Sequence, residues 1–164
     1  MRLSTIRPAT PADAAAVCRI YNPYVQDTII TFEETPVVAA EMAVRIENLC
    51  RTHPWYVHEE AGAVTGYAYA GPWRPRAAYR DAVEGTVYVE SGLVGKGIGS
   101  QLYDALLAEL RRRSLHCVMG GIALPNAASV ALHERKGFAK VAHFREVGWK
   151  FQQRIDVGYW ELLL

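Results

Sequence analysis

The chain has 164 residues, with 18 Lys and Arg against 17 Asp and Glu, a formal net charge of +1, and 51% hydrophobic residues. A single domain over residues 1–164 with one core is expected at that length, and so balanced a composition argues against disorder and against nucleic acid as a partner. The three cysteines, Cys18, Cys50 and Cys117, lack metal-ligand spacing, the start Met-Arg-Leu-Ser-Thr-Ile-Arg-Pro lacks a leader-like apolar stretch, and no run reaches the roughly 18 residues that cross a bilayer. A reduced cytoplasmic protein with no membrane partner is the expectation.

Leu3 to Arg7 alternates apolar and polar residues and reads as a strand ended by Pro8. Thr10 is a good N-cap, Pro11 suits the first helical position, Asp13 can close a short capping box, and Ala14, Val17, Cys18 and Tyr21 share one helical face. Asn22-Pro23 should weaken or bend that helix. A second helix from Val38 to Arg51 aligns Met42, Ile46 and Leu49, and the strands Trp55 to Glu59 and Val64 to Ala70 form a hairpin about Gly62.

Gly71-Pro72-Trp73-Arg74-Pro75-Arg76 reads as a loop, because two prolines and a glycine oppose regular structure. Gly85 to Glu90 is the next strand, followed by a glycine turn and a helix from Gly97 to Arg113 in which Ile98, Leu102, Leu106 and Leu110 recur every four residues. Arg111 to Arg113 suit a solvated helix end. His116 to Ala123 is a strand, Pro125-Asn126 opens a helix that stops before Gly137, and Val141 to Trp149 and Val157 to Leu163 close the chain. That order of elements implies an α/β sandwich with a largely antiparallel sheet.

The turn Gly95-Lys96-Gly97-Ile98-Gly99 lies between a strand and a helix, where glycines let successive backbone N–H groups approach one anion and Ser100 can add a hydroxyl. The spacing fits neither a Rossmann turn nor a Walker loop, whose Lys would precede Ser or Thr. A pyrophosphate cradle and a tight turn without a ligand both remain open on the turn alone.

Farther along stand Leu124-Pro125-Asn126-Ala127-Ala128-Ser129 and Leu132-His133-Glu134-Arg135-Lys136-Gly137-Phe138. With the glycine turn, these strings resemble the GNAT superfamily of acyl-CoA transferases. The resemblance runs over nearly the whole chain. Within it, Ile20-Tyr21-Asn22, Thr31-Phe32, Gly66-Tyr67-Ala68-Tyr69-Ala70-Gly71-Pro72, Arg76-Ala77-Ala78-Tyr79, Val83-Glu84 and Val87-Tyr88-Val89 are similar to the phosphinothricin and methionine sulfoximine acetyltransferases.

The resemblance implies a GNAT fold, an α+β arrangement with a mixed, mostly antiparallel twisted sheet flanked by helices. It also implies acetyl-CoA as acetyl donor, met by the backbone of Val87, Tyr88 and Val89, by Gly95, Lys96, Gly97, Ile98, Gly99 and Ser100, and by Asn126 and Ser129. One departure is Val94, where superfamily loops usually start with Arg or Gln. A homodimer is a further implication, through the aromatic strands around Trp149 and Trp160.

Transfer of acetyl to an amine requires a base, a polarised carbonyl and a stabilised thiolate. Glu84 matches the family's base, with an ordinary strand-end carboxylate as the alternative. His133 stands where many superfamily members carry Tyr and can relay a proton, or simply pack in its helix. The Val89 N–H can meet the thioester oxygen if the strand bulges away from its neighbour. Asn126 can hold the pantetheine arm or cap its helix. Arg74 and Arg76 can grip a carboxylate bidentately, and Phe32 and Tyr79 can shape a side-chain pocket around a small amino-acid-like substrate. His53, His58, His116 and His143 are scattered, and no metal is expected. Acetylation of a protein N-terminus or a polyamine, and a non-catalytic acyl-CoA sensor, are the competing readings.

Overall fold

The computed structural model describes residues 4–164; Leu3, where the first strand is expected to begin, lies outside them. The strands are β1 (Ser4–Pro8), β2 (Trp55–Glu60), β3 (Ala63–Pro72), β4 (Ala82–Val89), β5 (Cys117–Leu124), β6 (Ala139–Lys150) and β7 (Gln153–Leu163). They form one sheet in the order β1-β2-β3-β4-β5-β7-β6. Every neighbouring pair is antiparallel except β4 with β5. The helices are α1 (Ala14–Asp27), α2 (Ala39–Cys50), α3 (Ile98–Arg112) and α4 (Ala127–Arg135). The expected class and element order are both realised.

Strand alternation divides the core in two. On one face Val17, Ile20 and Val25 of α1 and Met42 and Ile46 of α2 bury against Trp55, Val57 and Tyr67. On the other, Leu102, Leu106 and Leu110 of α3 bury against Ala68, Ala70, Val83 and Val118, with Phe138 and Trp160 beside them. The four-residue repeat of α3 is therefore its core face.

Helix α1 is entered through a short 3₁₀ turn, Pro11–Asp13. The Asp13 carboxylate accepts the Thr10 N–H at 2.8 Å and both arms of Arg7 at 2.9 and 2.8 Å, joining the cap to β1. The helix continues past Pro23 to Asp27. Asn22, partly buried, exchanges two hydrogen bonds of 2.9 Å with the backbone of Val37, fastening the chain that leads into α2.

Two expectations are corrected. Gly71 and Pro72 belong to β3 rather than to a loop, paired with Glu84 and Val83, because β4 starts three residues before Gly85 and offers them a partner. Pro72 ends the strand, where its missing N–H breaks no ladder. Glu84 consequently sits inside β4, not ahead of it.

The parallel β4–β5 ladder covers only Ala82–Glu84 against Cys117–Met119. Beyond it β4 stays with β3 as far as Val89, and β5 stays with β7 as far as Leu124. The sheet forks there. The β3–β4 register is unbroken, so the gap arises from the end of one ladder and not from a bulge in β4.

Candidate active site

The fork opens a cavity of about 550 Å³ that reaches from the α1 face of the sheet to the α3 face. Glu84 to Tyr88 of β4 and Gly121 to Ala123 of β5 form its banks. Ile30, Thr31, Phe32 and Arg74 close one end, Tyr103, Asn126, Ser129 and His133 the other, and Phe144, Val147, Val157 and Tyr159 complete the wall.

Backbone donors face the gap. Glu90 donates its N–H to Thr65 on β3 at 2.9 Å, so ladder alternation turns the amides of Val89 and Val87 away from β3, toward the side β5 has left. The Val89 carbonyl, on that same side, accepts the Tyr24 hydroxyl. Unpaired amides at this point are an oxyanion-type feature.

Glu84 is half-buried in β4 and lines the cavity. Burial raises its pKa above the ordinary carboxylate range, while the positive charge of Arg74 pulls it down. No hydrogen bond among the described residues engages its carboxylate, which is thus open to a proton from a ligand.

His133 is buried, with Nε2 2.8 Å from the Tyr103 hydroxyl and Nδ1 2.8 Å from the Ser129 carbonyl oxygen. A carbonyl only accepts, so Nδ1 carries the hydrogen and Nε2 accepts from Tyr103 O–H. Burial lowers the His133 pKa and keeps the ring neutral. Phe138 packs against both rings, at centroid distances of 5.1 and 5.8 Å. A Cβ on Gly120 would lie 2.5 Å from His133 Nε2, so only glycine lets the ring rest against β5.

Gly95 and Gly97 have φ of +86° and +85°, the left-handed region that glycine enters freely. Gly97 is the N-cap of α3, and the first intrahelical bond runs from the Gln101 N–H to its carbonyl at 3.1 Å. The amides of Ile98, Gly99 and Ser100 have no intrahelical acceptor. Gly99 is set beside the fork: a Cβ there would stand 3.3 Å from Leu132 and 3.7 and 3.8 Å from the side chains of Val89 and Val87. A row of free amides at a helix start, reached through two left-handed glycines, fits a pyrophosphate. Val94 is exposed on this turn and adds only backbone.

Asn126 proves to be a cap and a cavity residue at once. Its Oδ1 accepts the Ser129 N–H at 3.1 Å, leaving the side-chain NH₂ for a ligand. Of the residues expected to bind substrate, Phe32 and Arg74 line the cavity, the Arg74 guanidinium lying 4.5 Å from the Trp73 ring. Arg76 caps, and Tyr79 ends, an exposed 3₁₀ turn, Ala77–Tyr79, and neither lines the cavity. Lys96, Val89 and the glycine turn also lie outside the lining, where β4 passes into α3. Sequence reasoning missed Tyr103 and Tyr159. Tyr103 is a hydroxyl-bearing ring on the buried face of α3, a signal available from the pattern, whereas Tyr159 carries none.

Among the described residues no cluster of His, Cys, Asp or Glu can hold a metal ion, and no helix is long and apolar enough to cross a membrane.

The acetyltransferase (GNAT) domain family matches residues 6–158. The phosphinothricin N-acetyltransferase of Streptomyces viridochromogenes is 42% identical over 156 residues, covering 95% of this chain and 85% of that protein. The L-methionine sulfoximine/L-methionine sulfone acetyltransferase of Pseudomonas aeruginosa is 38% identical, covering 98% and 95%. Among solved structures, a GNAT superfamily phosphinothricin acetyltransferase from Sinorhizobium meliloti in complex with acetyl-CoA superposes with a TM-score of 0.94 at 34% identity, covering 98% of this chain and 88% of that one.

Proposed function

The chain belongs to the acetyltransferase (GNAT) family, and we propose that it transfers the acetyl group of acetyl-CoA to the α-amino group of a small amino-acid-like acceptor of the phosphinothricin, methionine sulfoximine or methionine sulfone type. The observation that carries this reading is the meeting of Glu84, Arg74 and the unpaired Val87 amide in one cavity, with the Val89 amide next along the same strand.

The residues that would hold acetyl-CoA are the amides of Gly95 to Ser100 at the pyrophosphate, Asn126 and Ser129 along the arm, and the backbone of Val87 to Val89 at the acyl end. When bound, it supplies an activated acetyl thioester. Arg74 grips the acceptor carboxylate, with Phe32 beside it, and so brings the amine to Glu84. Glu84 removes the ammonium proton, its raised pKa bringing it nearer the basicity the task needs. The Val89 N–H donates to the acyl oxygen, where negative charge grows. As the thiolate forms, the Tyr103 O–H turns from neutral His133 Nε2, to which it otherwise donates, and gives its proton to the departing sulfur. His133, which also lines the cavity, serves by holding that hydroxyl on Nε2.

The sensor reading is weaker, because a chain that only binds acyl-CoA needs neither an open buried carboxylate nor a hydroxyl held by histidine. Thiol release in the presence of the three named acceptor types and a panel of free amino acids tests the proposal. Turnover on none of them, with tight acetyl-CoA binding by calorimetry, would defeat it.

Arg76 and Tyr79 are read as outer residues of the acceptor entrance. Val141 and Trp149, exposed on the edge strand β6, support pairing with a second copy, whereas Trp160, expected to share in that surface, is buried in the core. Light scattering should give the mass of two chains. The supply of acetyl-CoA and three unpaired cysteines suit the cytoplasm.

A further inference from the structure

Lys150, the last residue of β6, is 2% exposed, yet no carboxylate lies within ion-pair distance of it among the described residues. Its Nζ donates instead to two backbone carbonyls, that of Val25 at 2.7 Å and that of Thr31 at 2.8 Å. Val25 is in the last turn of α1, whose carbonyls have no intrahelical donor and whose negative dipole end favours a cation. Thr31 belongs to the segment that follows α1 and lines the cavity with Ile30 and Phe32.

Two residues earlier on β6, Gly148 lies beneath the Phe32 ring, in the space a Cβ would occupy. One strand therefore holds this wall at two points: an ammonium on the Thr31 carbonyl and a bare backbone under Phe32. A buried ammonium held by two carbonyls and, at 5.0 Å, by the face of the Phe151 ring, with no carboxylate partner, is a poor stability device, since an apolar chain of equal volume would avoid its desolvation. Its use is positional.

We propose that Lys150 is a positioning residue for the acceptor: its bonds to the Val25 and Thr31 carbonyls, with Phe32 seated on Gly148, fix the wall that faces Glu84 and so set acceptor affinity. This rests on the reading of the cavity as the acceptor's site. Thr31 is tied a second time, its hydroxyl 2.7 Å from that of Tyr21, so the segment keeps one anchor when the lysine is changed.

Lys150→Met keeps the length and removes the donors, while Lys150→Gln restores two N–H groups. The methionine variant should raise the acceptor KM on the order of tenfold, the scale of one lost charge-assisted hydrogen bond, with kcat and the acetyl-CoA KM within about twofold of wild type. The glutamine variant should recover part of that loss. Hydrogen exchange should quicken at residues 28–33 and stay unchanged in α3. Should Lys150→Met not fold, Gly148→Ala, which displaces Phe32, must show the same split between acceptor and donor. Equal losses for both substrates, or an unchanged acceptor KM in a folded variant, would overturn the inference. Inactivity of the wild type on every amino acid would instead remove the reading beneath it, and the exchange data would still report whether Lys150 fastens the segment.

Discussion

Replacing Glu84 by Gln keeps the shape of the side chain against Gly121, whose Cβ position lies 3.2 Å from Glu84 Oε1, and removes only the ability to take a proton. General bases contribute about 10²- to 10⁴-fold, so the middle of that range predicts a kcat loss of about a thousandfold, or ~4 kcal/mol of barrier. Both KM values should stay close to wild type, since the proposed mechanism holds acetyl-CoA on backbone amides and the acceptor on Arg74. In wild type, kcat/KM should rise with pH as Glu84 ionises, with that limb above the ordinary carboxylate value of 4.5 because burial raises the pKa. The variant should lose the limb. Stability supplies a second sign: a carboxylate whose pKa is raised on folding destabilises the fold as pH climbs from the unfolded value through the folded one. Glu84→Gln should therefore melt above wild type at neutral pH, with the difference disappearing in acid. Stopped-flow thiol release and calorimetric melts read both effects. A kcat within twofold of wild type, or an unmoved acid limb, would refute the assignment.

Tyr103→Phe should lower kcat by about a hundredfold, the low end for a proton donor, with the acetyl-CoA KM nearly unchanged; an equal fall in acetyl-CoA binding would mark the hydroxyl as packing. Arg74→Gln should raise the KM of amino-acid acceptors roughly tenfold or more, as expected for a lost charge-assisted bond to a carboxylate, while amines without a carboxylate are spared. The same change takes away the charge that depresses Glu84, so the acid limb should move to higher pH, which the rate profile would show.

Much of the fold can be read before any coordinates, since its helices obey one dominant rule. The stripes Ala14, Val17, Cys18, Tyr21 and Leu102, Leu106, Leu110 are all buried as the helical period requires. The errors fall where tertiary pairing overrides local chemistry. Pro72 looks like a loop residue until β4 is known to start at Ala82, and the β6–β7 hairpin turns at Phe151-Gln152 with φ of +51° and +59°, values such residues do not advertise. By contrast Ala61-Gly62 turns the β2–β3 hairpin with a glycine that does.

The site divides along the same line. Glu84, Phe32, Asn126 and His133 can be read as cavity residues because each stands within a recognisable string, Arg74 only as a guanidinium in a proline-rich loop, and the glycine turn because only glycine suits its backbone. The amides of Val87 and Val89 were legible only as a consequence of resemblance, for no side chain reports that a parallel ladder will stop at Glu84. Tyr103 was missed for a related reason: a four-residue stripe marks one line along α3, whereas the buried face is wider and also takes Tyr103 and Leu107. That width decides the chemistry. With Tyr103 on the α3 face and Glu84 reached from the α1 face, a proton can be taken from the acceptor at one mouth of the fork and returned at the other. The end of one ladder thus opens a single cavity to a carboxylate and a hydroxyl from opposite faces of the sheet.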